Sequence, residues 1–356
     1  MPNSETANGQ TAHAAGRRRY AAGFVIGLLC LGLYLAQSAQ AGPGQMENNL
    51  PGRKPLMALF TRLRLAVGDR VFNEALVEPN GWLEFTGEQN LDSFQGATPL
   101  PDSTLQAIQI NLASLYAQLR QRHITLVVVI APNKASLYPD KLPAALQPLQ
   151  AQSDLDRLVA ALQQNGPPVL VDLRPVLRAA RLEHEVYFQT DTHWNAYGAY
   201  AAYAAILGAL APAYPQLAAR GYADFNIAPT APEARDIPRL MSAPDILEPG
   251  YALAPNPSVN WIIHNDDRIP MRVAYTQQPA APKLLMYVDS FGEALMPFLA
   301  PQFRQATFIE NVSLYSDLLT YKEVETASPD IVIVEIVERY LPNLNKWLAN
   351  YGLHAN

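Results

Sequence analysis

The 356-residue chain has a single cysteine, Cys30. One thiol excludes an internal disulfide framework and any zinc or iron–sulfur centre built on cysteines. Charged residues are also scarce, at 16% against roughly 25% in an average globular chain. The net charge of −6 lacks the basic excess that a nucleic-acid partner requires. There is no glycine-rich phosphate loop: Gly221, Gly250 and Gly292 stand alone, so no nucleotide or other cofactor is expected. No internal repeat or low-complexity tract is present. What the chain does have is 49% hydrophobic residues and 30 prolines, the make-up of an ordered, Pro-rich globular protein and not of a disordered one.

No apolar run reaches the roughly 20 residues of a full membrane span. The nearest is Ala21 to Ala36, uncharged and preceded by Arg17, Arg18 and Arg19. The arginines stay cytoplasmic under the positive-inside rule, so the remainder is exported. Ala39-Gln40-Ala41 follows, a small-x-small site for signal peptidase. A cleaved signal peptide and an uncleaved signal anchor both fit residues 1–41. Removing them takes away three basic residues, one acidic residue and Cys30, and shifts the net charge from −6 to −8. An exported domain without cysteine suits an oxidising compartment.

Residues 42–69 read as a linker and lead-in, because their first part is rich in Gly, Pro and Asn and has no periodicity. One domain then spans 70–356. Ile124 to Ala131 is a continuous apolar run, the mark of a strand buried on both faces. Val169 to Leu173, Leu284 to Val288, Ala306 to Glu310 and Asp330 to Val337 read as further strands. Leu105, Ile108, Leu112, Leu115 and Leu119 form a helical stripe, and 153–165, Ala196 to Ala211 and 340–352 also read as helices. Strands alternating with helices predict an α/β fold with a mostly parallel central sheet and helices on both faces. Residues 222–282 break this rhythm and read as an irregular insertion or a small antiparallel excursion.

Sites in such sheets form beyond the C-terminal strand ends. Ser290 meets that condition, standing in Val288-Asp289-Ser290-Phe291-Gly292 between a strand and a helical pattern. As a nucleophile it lies at a helix N-terminus, where free N–H groups can hold an oxyanion. As a structural residue it is an N-cap, with Glu293 completing a capping box. Asp191-Thr192-His193-Trp194 offers a base, His193, with an orienting carboxylate, Asp191, two residues away. Trp194 is a candidate wall excluding water from the imidazole. The bland alternative is a surface histidine with an incidental acid. His184, Asp191 and His193 match no compact metal-ligand spacing, so no metal is expected. Asn133 and Lys134 stand just past a strand end, as oxyanion or sugar-binding donors or as solvated loop residues. Gly292 is a candidate contributor to the oxyanion site. Glu338 and Arg339 follow the last strand, either shaping the site or forming a structural ion pair.

These residues bring a family into view. Asn80-Gly81-Trp82-Leu83, Pro132 to Pro143 with Lys134 and Tyr138-Pro139, Asp191-Thr192-His193-Trp194 and Asp289-Ser290-Phe291 resemble the SGNH-hydrolase-like O-acetyltransferases of bacterial exopolysaccharide secretion, the alginate O-acetyltransferase group (AlgJ and AlgX). Asp330 to Leu341, with Glu338-Arg339-Tyr340, is also similar. The resemblance covers about residues 70 to 345. It implies a three-layer α/β/α fold and a triad of Ser290 (nucleophile), His193 (general base) and Asp191 (orienting His193). It also implies transfer of acetyl to a polysaccharide hydroxyl in the periplasm, an MBOAT-type membrane protein delivering the acetyl group, and other secretion-complex subunits as partners. The protein would be soluble after cleavage or tethered to the inner membrane by residues 21–36. Glu84 and Phe85 interrupt the aromatic usual after Gly-Trp-Leu, and no carbohydrate-binding module follows, as in the single-domain AlgJ type. A carbohydrate acetyl esterase of the same fold and a non-catalytic scaffold of the secretion complex are the alternatives.

Overall fold

In a computed structural model, the structure describes residues 53–265, 270–310 and 321–350. The chain divides into two compact units, Met1–Leu63 and Arg64–Asn356. Of the first, the described part belongs to the helix Arg53–Ala66. That helix lies where composition predicts only linker and lead-in. The apolar run 21–36 and the cleavage site fall outside the described residues. Among the described residues, no helix is long and apolar enough to cross a membrane.

The second unit has eleven described strands: β1 (Ala75–Val77), β2 (Leu83–Phe85), β3 (Thr125–Ala131), β4 (Leu170–Asp172), β5 (Asn226–Pro229), β6 (Tyr251–Ala254), β7 (Asn260–Asn265), β8 (Pro270–Tyr275), β9 (Lys283–Tyr287), β10 (Gln305–Ile309) and β11 (Ile331–Val337). Seven form the central sheet in the order β4-β3-β11-β9-β10-β8-β7. Its first five members are parallel. The predicted strands match these five to within a residue or two at each end.

Side-chain alternation explains why the sheet is covered twice. Val127, Val129 and Ala131 of β3 face one core, with Ile333 and Val337 of β11 and the helix Ala196–Leu210. Leu126, Val128 and Ile130 face the other, with Val332, Val334 and Ile336 of β11. There the stripe Leu105, Ile108, Leu112, Leu115 and Leu119 of the helix Asp102–Gln121 is buried, as the period predicts. Each strand therefore reads as a continuous apolar run. The helix Asp154–Asn165 starts in a capping box made by Ser153 and Asp156, which fits the predicted start at 153.

Residues 222–282 contain antiparallel structure, but it is not all peripheral. β5 and β6 form a separate two-stranded ribbon. β7 and β8 form a hairpin that extends the main sheet, with β8 antiparallel to β10. The hairpin gives few side chains to either core, Ala274 and part of Trp261 to one and part of Met271 to the other, so its hydrophobicity is diluted by polar residues. That dilution hides it from a search for apolar runs.

Candidate active site

The candidate residues gather past the C-terminal ends of β3, β9 and β11. β9 ends at Tyr287, and the chain turns sharply through Asp289, Ser290 and Phe291 into the short 3-10 helix Gly292–Leu295. Asp289 holds this turn. Its buried carboxylate accepts the Phe291 N–H at 2.8 Å and the Val337 N–H, at the end of β11, at 2.7 Å. Gly292 is required by close approach: a Cβ there would stand 2.5 Å from the Val288 side chain and 2.6 Å from Glu335 Oε2. Ser290 alone in this turn is exposed. Its side chain does not cap the helix, so the capping-box reading with Glu293 is not realised.

Ser290 Oγ lies 2.8 Å from His193 Nε2. His193 Nδ1 lies 2.7 Å from Asp191 Oδ1, which also accepts the His193 backbone N–H at 3.0 Å. The three residues thus form one continuous hydrogen-bonded relay. Burial pushes the Asp191 carboxyl up, but the hydrogen bonds and charge of His193 outweigh it and hold it at about 2. Burial would lower His193. Its bond to Asp191 and the surrounding carboxylates, Asp191, Asp236 and Asp289, raise it above the ordinary imidazole value instead. An ionised acid on Nδ1 fixes the tautomer that leaves Nε2 free to accept a proton.

The loop carrying His193 is held from several sides. Lys134 is buried, and its ammonium donates to the carbonyls of Leu83 at 2.7 Å, Gln189 at 2.8 Å and Asp191 at 3.1 Å. It also lies over the Trp82 ring. All three ammonium hydrogens are spent, so Lys134 knits the Trp82, Lys134 and Asp191 segments together and has no hydrogen to offer an anion. The predicted donor role does not fit this geometry. Glu248 accepts the N–H groups of Gln189 and Thr190 at 2.8 and 2.7 Å. Asp236 accepts the Thr192 N–H at 3.0 Å and the Thr192 hydroxyl. It also approaches His193 Nδ1 to 3.6 Å. Asp236 is pushed up to about 6, by burial first and by the Asp191 charge second.

The remaining predicted residues take varied places. Trp194 is buried, donates Nε1–H to the Phe291 carbonyl at 3.0 Å and meets the Phe291 ring edge-on. It clamps the histidine loop to the serine turn. The ring beside the imidazole is Phe291, with centroids 4.7 Å apart. The Gly292 N–H faces the Glu335 carboxylate, so the contribution of Gly292 is its missing Cβ and not an oxyanion bond. Asn133 is buried, and its N–H donates to Glu338 at 2.9 Å. Its side-chain amide has no partner among the described residues. Arg339 pairs with Glu88 at 2.8 Å, not with Glu338, and its guanidinium lies 5.8 Å from the Phe291 ring centroid. Glu338 accepts the Ser136 hydroxyl at 2.6 Å. His184 stacks on Tyr197. Among the described residues, the one cluster of potential metal-ligand atoms is Asp191, His193 and Asp236, so His184 is not part of it.

The sequence reading assigns no site role to Asp236, Glu248, Asp289 or Glu335. Asp236 and Glu248 lie in the aperiodic stretch, where nothing in their spacing separates them from Glu233 or Asp245. Glu335 did carry a signal. It is an acid inside an otherwise apolar strand, wholly buried, and its Oε2 accepts the Asp289 N–H at 3.2 Å beneath the serine turn.

The sheet, its two helical layers and the serine turn past β9 define an SGNH-hydrolase-like α/β protein. Residues 77–257 match the family described as "SGNH hydrolase-like domain, acetyltransferase AlgX", and the chain belongs to that family. It is by that membership an acyltransferase of the O-acetyltransferase kind. A "Probable alginate O-acetylase AlgJ" of Azotobacter vinelandii is 24% identical over 320 residues, covering 81% of this chain and 76% of that one. The protein of the same name from Pseudomonas aeruginosa is 33% identical over 155 residues, 40% of this chain and 36% of the relative. Two solved structures share the fold. The O-acetyltransferase domain of Pseudomonas putida AlgJ has a TM-score of 0.51 and 21% identity, over 75% of this chain and 92% of that one. Bacillus cereus PatB1 has a TM-score of 0.55 and 15% identity, over 75% and 96%.

Proposed function

We propose that this protein moves an acetyl group onto a hydroxyl of a secreted bacterial exopolysaccharide through an acetyl-Ser290 intermediate. The observation that carries the reading is the unbroken relay from Ser290 Oγ through His193 to Asp191. His193 Nε2 takes the Ser290 proton as Oγ attacks the acetyl carbonyl of the donor. The tetrahedral adduct collapses, the donor's leaving oxygen departs with the proton from His193, and acetyl-Ser290 remains. The acceptor hydroxyl then gives its proton to His193 and attacks the acyl carbon. The C–O bond to Ser290 breaks, and Oγ recovers the proton. Asp191 stays ionised and stabilises the imidazolium in both halves. The unpartnered amide of Asn133 is the candidate side-chain donor to the oxyanion.

The names of the relatives, alginate O-acetylases, support a polysaccharide acceptor of the alginate kind. The Arg17–Arg19 and 21–36 pattern supports a periplasmic site of action, and the family resemblance implies an MBOAT-type membrane protein delivering acetyl, with other secretion subunits nearby. The exposure of Ser290 favours one second reading, an acetyl esterase in which water replaces the sugar. The deciding experiment gives the purified protein an acetyl ester donor with and without alginate oligosaccharide. Acetylated oligosaccharide and a trapped acetyl on Ser290 are expected, with both lost in Ser290→Ala. Free acetate unaffected by sugar would transfer the conclusion to the esterase. Normal polymer acetylation in a Ser290→Ala strain would leave only a scaffold role.

A further inference from the structure

A cavity of about 470 Å³ opens beside the histidine loop, with Phe188, Tyr197, Tyr251, Glu185, Gln189 and Glu248 in its walls. Its size falls in the range of small-molecule sites, roughly 300–1,000 Å³. It adjoins the relay. The Phe188 N–H donates to the His193 carbonyl at 3.2 Å, next to the antiparallel bridge of Tyr187 and Trp194. The backbone carrying Phe188 therefore runs directly against that of His193. The aromatic wall is braced from behind. Tyr197 stacks on His184 at 4.1 Å and on Tyr222 at 4.6 Å, and Tyr251 meets Tyr197 edge-on at 6.0 Å. Yet Tyr251 keeps 39% of its surface exposed, and Phe188 is only half-buried. Rings fixed by their neighbours and still open to solvent are a surface for the apolar face of a ligand.

The polar lining is dominated by acceptor oxygens. Glu248 spends its carboxylate on the Gln189 and Thr190 N–H groups. The Gln189 amide nitrogen is held by the Asn80 carbonyl at 2.6 Å. Glu185 is exposed. Arg235 and Lys141 lie over the Phe188 and Trp82 rings, but no lysine or arginine is among the described residues that line the cavity.

We propose that this cavity seats a sugar ring of the acceptor chain next to the ring being acetylated, and that it prefers a neutral ring to a uronic one. A pyranose ring offers what the lining asks for. Its C–H groups meet the negative faces of Tyr251 and Phe188, and its hydroxyls donate to Glu185 and Gln189. A phosphorylated ligand would meet carboxylates without a cation. A uronic ring meets the same repulsion, softened by the exposure of Glu185, so the preference is one of affinity and not of exclusion. The inference rests on the acetyl-transfer reading and names the class of ring taken at that site.

The test measures binding by titration calorimetry on the full chain carrying Ser290→Ala, which removes the nucleophile. Cellohexaose and a mannuronate hexasaccharide are the probes. Cellohexaose is expected to bind several-fold more tightly. Adding Tyr251→Ala should weaken its binding by roughly tenfold, whereas Tyr251→Phe keeps the ring and should keep the affinity. Adding Glu185→Gln should narrow the gap between the two probes, most at low salt. Failure of the parent to bind either probe, or binding that is the same in Tyr251→Ala, would overturn the site. Tighter binding of the uronate, unchanged by Glu185→Gln, would overturn the preference. Acetylation of the same oligosaccharides by the wild-type protein is followed in parallel. Binding that needs Tyr251 without any acetyl transfer would sink the transfer reading and leave the site standing. Transfer with binding indifferent to Tyr251 would do the reverse.

Discussion

Asp236 Oδ2 stands 3.6 Å from Nδ1 of His193, giving the imidazole a second carboxylate beyond its direct partner Asp191. Asp236 also grips Thr192 through the backbone N–H and the hydroxyl. It therefore sets both the charge around His193 and the position of its loop. Removing this charge with Asp236→Asn should lower the His193 pKa. Free-enzyme activity falls as pH drops and the base is protonated, so the acid limb of kcat/KM should move to lower pH. A roughly tenfold loss of rate at neutral pH is expected, against about 10⁴-fold for Asp191→Asn, which leaves the tautomer unsupported. A pH–rate profile for each variant checks both statements. An unmoved acid limb in Asp236→Asn would show that its charge does not reach the base.

Lys134 and Ser290 should separate stability from chemistry. Lys134→Met leaves three carbonyls, of Leu83, Gln189 and Asp191, without their buried donor. A loss of roughly 3 kcal/mol is expected, together with activity, because the histidine loop is no longer held. Ser290→Ala removes one exposed hydroxyl. It should keep the wild-type unfolding midpoint while reducing turnover by roughly 10⁴-fold or more. Denaturant unfolding and turnover, measured side by side, read the difference.

Gly292→Ala tests the tightness of the serine turn. The added methyl would meet Val288 and the Glu335 carboxylate inside contact distance, and neither is free to retreat in a buried strand end. A destabilisation of about 1–3 kcal/mol is expected for such overpacking. Activity should fall by more than the unfolded fraction explains, because Ser290 shifts away from His193.

Glu335 gives a pH signature of stability. Burial first, and the neighbouring Asp289 charge second, raise its carboxyl well above the ordinary 4.5. An acid whose folded pKa is raised binds its proton more tightly in the folded state. Its contribution is therefore full below about 4.5 and is lost as pH rises towards the folded pKa. Glu335→Gln keeps the neutral shape and removes the titration. Wild-type Tm should fall more steeply than that of Glu335→Gln as pH is raised from about 4.5 towards the folded pKa. Thermal unfolding in a buffer series measures it, and parallel curves would mean that Glu335 is not protonated in the fold.

Much of this was legible because periodicity is a local property. The parallel strands announce themselves as apolar runs, since the inner ones are buried on both faces. The long helices show their stripes, and Ser290 stands between a strand and a helix. The β7–β8 hairpin escaped because it lies at the sheet's end and gives few side chains to either core, so polar residues are tolerated there. Lys134 misled because a lysine past a strand end looks the same in sequence whether its ammonium meets solvent, ligand or three backbone carbonyls.

The sequence by itself determined the α/β class and the strand–turn–helix setting of Ser290, because each rests on neighbours within about a dozen positions. Only the tertiary structure decided which residues meet. Ser290 reaches His193 because β9 and the 191–194 loop converge past the same sheet edge. Asp236 and Glu248 arrive from an aperiodic segment whose path no local pattern encodes. The energy of a buried hydrogen bond depends on separation in space, and separation along the chain carries no record of it.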